Sequence, residues 1–226
     1  MSINEITIPR YSLGEELLNA ISHGLGGLFG IVALGLMLSK TIPTGDPFSI
    51  LSAIIYGVSL IILFTISCVY HSLGKNNGKR VLRILDHDMI YVLISGTYTP
   101  YMLVSLRPYN VWGLGTSVVA YIMFACVWVF CIIGAVFNTI NIKKYGVLSM
   151  ICYLLSGWTV VSALPVLWNI ITPTGVILLL SGGIVYTLGT IFYGFGKNVK
   201  YMHSVFHFFV LAGAILMFIS IYCFVL

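Results

Sequence analysis

Charge is what this sequence has least of. Acidic residues number 6 and basic residues 11 in a chain of 226, so only 8% is charged, against roughly 25% in a soluble globular domain that must cover itself with a water-facing surface. That scarcity excludes a soluble enzyme. It also excludes nucleic acid as a partner, because the formal charge of +5 is scattered over basic residues that occur singly or in small groups and form no continuous phosphate-binding stripe. Cysteine is scarce as well: Cys68, Cys126, Cys131, Cys152 and Cys223 are odd in number and contain no CxxC pair. They read as small apolar packing residues, and a disulfide framework is excluded. The opening stretch "MSINEITIPRYSLGEELLNAISHG" lacks a basic segment followed by a clean apolar core, so no cleaved secretory leader is expected.

What is abundant is hydrocarbon. The chain is 59% hydrophobic with a mean hydropathy of +1.05, a balance that fits an integral membrane protein of the cell membrane. Seven apolar stretches approach the roughly 20 residues needed to cross a bilayer: 17–39, 48–72, 85–106, 112–137, 145–167, 174–195 and 201–226. Short breaks with turn chemistry separate them, such as "TIPTGDP", "GKNNGKR" and "GKNVK". The expected fold is therefore all-α: one multi-pass seven-helix membrane domain over residues 1–226. With the N-terminus in the cytoplasm, that side holds Arg10, Lys75, Lys79, Arg80, Arg83, Lys143, Lys144, Lys197 and Lys200, and the other side only Lys40 and Arg107. The asymmetry obeys the positive-inside rule and places the C-terminus outside.

Local signals refine the spans. Ser12 followed by Glu15 has the spacing of a capping box, which would start the first helix before residue 17. Gly26 and Gly30, and Gly182, Gly183 and Gly189, suit close helix approach. Pro100 is expected to kink the third span, and Trp112 and Trp168 to sit at the membrane interfaces.

The polar residues inside this apolar sequence are not scattered. His71 ends the second span, Asp86 begins the third, and His203 and His207 open the seventh, all beside basic residues. The helical rise of 1.5 Å per residue puts His207 about 10 Å inward of Lys200 and His71 about 6 Å inward of Lys75, so these groups share one layer. His203 and His207 are spaced to face the same way on one helix, and His71 adds a third imidazole. Such a group can clamp a metal, relay protons or hydrogen-bond helices together. Three neutral imidazoles plus a water is the ligand set of a catalytic zinc, and zinc is the expected cofactor. Asp86 would then hydrogen-bond that water or orient a ligand. Ser67, one turn deeper than His71, would bond either a helix carbonyl or the same water. Glu16, Asn19 and His23 repeat at helical spacing along the first span and are expected to form a hydrogen-bonded brace, with Ser22 beside them. His87 and Asp88 turn away from Asp86 and are expected to be solvated.

At these residues the sequence resembles the bacterial hemolysin III family, which groups with the adiponectin and progestin receptors. The resemblance rests on "EELLNAISHG", "SCVYHS", "LDH", "SGTYTPY", "GGIVYTLG" and "HSVFHFFVLAG" and runs from about residue 11 to the C-terminus. It implies seven helices with the N-terminus inside, and one zinc on His71, His203 and His207. It also implies that Asp86 reaches the zinc through water, with Ser67 nearby. The wider superfamily includes alkaline ceramidases, which implies a zinc-dependent hydrolase of a lipid amide or ester, acting in membrane lipid homeostasis. The substrate partner would be a membrane lipid, and no soluble protein partner is expected. A receptor or sensor with a structural zinc is the second expectation; a cytolysin is the third, though unbroken apolar spans leave no water-compatible form. A metal transporter fits poorly with polar groups confined to one membrane side.

Overall fold

A computed structural model of the chain describes residues 3–110, 113–115, 117–196 and 198–226. Among these residues, seven helical segments are long and apolar enough to cross a membrane. They are built from eight α-helices: α1 (Leu13–Thr41), α2 (Pro47–Ser72), α3 (Asn77–Pro100), α4 (Val118–Ile140), α5 (Gly146–Trp158), α6 (Leu164–Ile170), α7 (Thr172–Phe195) and α8 (Met202–Phe224). Successive helices pack side by side, and α8 closes back onto α1. Leu25 and Leu28 on the outer face of α1 are 58% and 61% exposed, as side chains are when their surroundings are lipid.

The helix ends follow from identifiable residues. In α1 the Ser12 side chain accepts from the Glu15 amide while the Glu15 carboxylate accepts from the Ser12 amide, a complete capping box that satisfies orphan donors of the first turn. The helix accordingly starts at Leu13, ahead of the apolar run. Asp46 caps α2. Asn76 caps α3 through the Lys79 amide, and α3 therefore begins at Asn77, eight residues before the apolar stretch that marks it in the sequence. Its first turns, "NGKRVLRIL", are too polar to register as a span.

Pro100 ends α3, and Tyr101–Leu106 continue as a π-helical turn. Arg107 donates its amide to the Met102 carbonyl, 3.0 Å away and five residues back. Proline lacks an amide hydrogen and crowds the carbonyl four residues earlier, so the wider turn relieves that conflict. The fifth span is also interrupted: a 3-10 segment, Thr159–Ala163, separates α5 from α6, and Pro165 sits in the first turn of α6, where a missing amide costs nothing. Trp168 lies exposed in α6; Trp112 and Lys197 lie outside the described residues.

Close approach of α1 to α2 depends on Gly26 and Gly30. A Cβ on Gly26 would stand 2.4 Å from the Phe64 ring, and one on Gly30 3.1 Å from the Ile61 amide nitrogen. Deep in the bundle, Tyr101 donates to Ser220, which donates to the Gly175 carbonyl, both at 2.8 Å. That chain links the π-turn, α8 and α7 without leaving a hydroxyl unsatisfied.

Candidate metal centre

His71 belongs to the last turn of α2, and Glu16 of the first helix fixes its ring. Its Nδ1 lies 2.6 Å from Glu16 Oε2 and 3.3 Å from Asn19 Nδ2. Since a carboxylate only accepts, the ring carries its proton on Nδ1 and donates to Glu16. The lone pair is thereby left on Nε2, which is buried and has no hydrogen-bond partner. Glu16 is held in turn: its Oε1 accepts from Lys79 Nζ at 2.5 Å. Lys79, only 2% exposed, also donates to the Leu73 carbonyl at 2.9 Å.

His203 and His207 come from the first turns of α8, whose start is set by contacts distant in sequence. Tyr201, which precedes α8, adopts a left-handed backbone with φ 64°, a conformation that costs a residue with a side chain. Its amide donates to Glu15 Oε1 at 2.8 Å. At Gly196 a Cβ would meet the His203 amide nitrogen at 2.9 Å, so only glycine lets the α7–α8 turn press this tightly. The outcome is that Nε2 of His203 and Nε2 of His207 stand 3.2 Å apart.

His71, His203 and His207 are all buried and present ligand nitrogens within 4.8 Å of one another. A tetrahedral site with zinc–nitrogen bonds of about 2.0–2.1 Å separates its ligand atoms by about 3.3–3.4 Å, close to the His203–His207 spacing. Three imidazoles with a partnerless His71 Nε2 form a donor set that fits one divalent cation, and His71 already has the carboxylate support typical of metal-bound histidine.

The remaining sequence-singled residues divide. Asp86, Ser67 and His23 line a cavity of about 30 Å³ together with His203, His207 and Tyr193, a volume that admits one or two water-sized groups. Ser67 Oγ is buried and makes no helix-carbonyl bond, so its hydroxyl is available to the cavity. Ser22 donates to the Asn19 carbonyl of its own helix at 3.1 Å and does not reach the site. His23 departs from the expected brace: neither ring nitrogen has a hydrogen-bond partner. Instead its ring stacks on His207, centroids 3.7 Å apart, and meets Phe64 edge-on. Asp88 departs as well. It is 6% exposed and accepts from Asn138 and Thr139, each at 2.7 Å. His87 is half-buried beside Tyr193 rather than solvated.

Sequence reasoning missed three supports. In the sequence Lys79 reads only as one of the charges that set the orientation. The N-terminal arm is the second: Tyr11 stacks on the His203 ring at 4.9 Å and 17°, Ile6 is buried, and Thr7 accepts from Arg83 through its carbonyl. Burial raises the Tyr11 phenol above its ordinary pKa, so it stays protonated. The third is a larger apolar cavity of about 380 Å³ between α3, α4, α5, α7 and α8. It shares Leu63, His87, Ile90, Tyr193, Phe206 and Val210 with the small cavity at the histidines.

Residues 11–218 match the family model described as "Haemolysin-III related". The chain is 34% identical to "Hemolysin-3" of Bacillus cereus over 94% of its own length and 92% of that protein's. It is 37% identical to "Hemolysin-3 homolog" of Bacillus subtilis (strain 168), covering 94% of this chain and 96% of the relative. The human "Monocyte to macrophage differentiation factor" is 28% identical over 73% of this chain and 66% of that protein.

Proposed function

Because the chain belongs to the haemolysin-III related family of multi-pass membrane proteins, we propose that it is a zinc-dependent hydrolase of a lipid amide or ester, acting at the cytoplasmic leaflet in membrane lipid homeostasis. The observation that carries this reading is the convergence of His71, His203 and His207, with no fourth protein ligand in the group among the described residues. A purely structural staple between α2 and α8 would call for that fourth ligand.

His71, His203 and His207 would hold the zinc. When bound, zinc supplies Lewis acidity, lowering the pKa of water toward 7 and polarising a carbonyl oxygen. Glu16 keeps the His71 proton on Nδ1 and so keeps Nε2 available for coordination. Asp86, on the wall of the small cavity, accepts the proton of the attacking water and returns it to the departing nitrogen or oxygen as the acyl bond breaks. Ser67 Oγ, with no partner of its own, orients that water. The acyl chain occupies the adjoining 380 Å³ cavity, whose aliphatic and aromatic walls suit hydrocarbon. The basic residues flanking this end of the bundle support a cytoplasmic location.

The test has two arms. Purified protein should contain about one zinc per chain, lost in His71→Ala and in His203→Ala; stoichiometric metal retained by these variants would refute the ligand set. Membranes containing wild-type protein should differ in lipid profile from membranes containing Asp86→Asn. Identical profiles across several growth conditions would sink the hydrolase.

A further inference from the structure

We propose that Asn138, with Ser149, forms a second recognition station in the large cavity, one that accepts a hydroxyl group carried by the bound lipid. The inference rests on the lipid-binding part of the reading above, and narrows the substrate to a lipid with a hydrogen-bond donor near its reactive linkage.

The argument begins with direction. Asp88 is a carboxylate buried between α3 and α4, and its oxygens accept from Thr139 Oγ1 and Asn138 Nδ2. A carboxylate cannot donate, so the Asn138 amide is locked with its NH2 toward Asp88 and its carbonyl oxygen turned away. That oxygen, on a side chain that is 0% exposed, has no hydrogen-bond partner, and Asn138 lines the 380 Å³ cavity. Ser149, on α5 and also lining this cavity, repeats the pattern. It is 4% exposed, its backbone carbonyl takes the Tyr91 hydroxyl at 3.2 Å, and its own Oγ is unpartnered. Tyr186, lining the same space, likewise has an unpartnered hydroxyl.

Buried acceptors left without donors are costly, and native interiors rarely keep them unless something binds there. An amide carbonyl that cannot turn around asks for a donor. A plain hydrocarbon tail offers none, whereas a hydroxyl offers one to Asn138 Oδ1 and an acceptor to Ser149. The station shares one cavity with His87, Ile90 and Tyr193, which also line the small cavity at the histidines. A single amphiphile therefore reaches both: its linkage lies at the imidazoles and its hydroxyl at Asn138. The buried carboxylate of Asp88 serves here as a positioning residue that fixes which end of the amide faces the ligand.

The test uses two probes without an ester or amide bond, 2-hexadecyloxyethanol and propyl hexadecyl ether, which differ by a hydroxyl in place of a methyl. Binding of each to the full chain in detergent micelles is measured by titration calorimetry, independently of metal content and turnover. Wild type should bind the hydroxylated probe about tenfold more tightly, and Asn138→Leu should bring the two affinities level. Partitioning into micelles cancels in the comparison between proteins. Should Asn138→Leu fail to fold, Ser149→Ala leaves the backbone contact to Tyr91 in place and should reduce the preference at least threefold. Wild-type affinities within twofold of each other, or a preference undiminished in the variants, would overturn the proposal. An Asp86→Asn lipid profile equal to wild type would instead remove the hydrolase and leave this preference standing.

Discussion

Glu15 and Tyr201 are 186 residues apart and joined by one hydrogen bond of 2.8 Å, from the Tyr201 amide to Glu15 Oε1. The other oxygen of the same carboxylate takes the amide and the hydroxyl of Ser12. One side chain thus starts α1 and holds the left-handed residue from which α8, with His203 and His207, departs.

Removing that carboxylate should therefore affect two helices. Glu15→Ala is expected to lower stability by about 1–2 kcal/mol, with Glu15→Gln falling between it and wild type. Thermal unfolding in detergent reads the difference; an unchanged midpoint would show that the Tyr201 turn needs no anchor.

Glu16 touches both His71 and Lys79, and under the proposed function its part is to orient the His71 ring. Glu16→Gln should weaken zinc binding by about 10–100-fold without disturbing the helical circular dichroism spectrum. Competition against a chelator of known affinity measures this, and unaltered affinity would dismiss the Glu16–His71 contact as a contributor.

His23 stacks on His207 but has no place in the three-histidine group. The expectation for His23→Phe, which keeps an aromatic plane against His207, is full metal stoichiometry. If elemental analysis of this variant finds the metal gone, His23 is itself a ligand.

Asp46 lies between the first two spans and accepts from the hydroxyl and amide of Ser49. The Ser49 hydroxyl is the largest influence holding its carboxyl below the usual value of 3.8. A depressed folded-state pKa stabilises above the unfolded value and loses that stability as pH falls through the folded one. Asp46→Ala should thus cost about 1 kcal/mol at neutral pH, and the gap from wild type should close as the pH drops below 3.8. A gap that persists in acid would assign the effect to packing.

The spans were legible because lipid imposes a long apolar run on every crossing, and the site because three histidines at one depth are rare in hydrocarbon. What escaped notice was satisfied by partners remote in sequence. Lys79 neutralises Glu16 from 63 positions away, so a residue that looks like solvated charge is buried. Asp88 sits beside Asp86 yet faces α4, where Asn138 and Thr139 await it. Spacing tells which way a side chain points along its own helix, but not what stands opposite. The break in the fifth span at Thr159–Ala163 was hidden for a different reason: hydropathy is blind to the backbone's change of pitch.

The arm ahead of α1 carries a practical lesson for anyone who labels this protein. Thr7 lines the large cavity and Tyr11 stacks on the His203 ring, while Ile6 beside them is buried. An affinity handle or fluorophore attached at that end would crowd these contacts. Leu226 lies just past the end of α8 opposite to His203, the last of the seven candidate spans among the described residues, and a label placed there stays clear of the histidines.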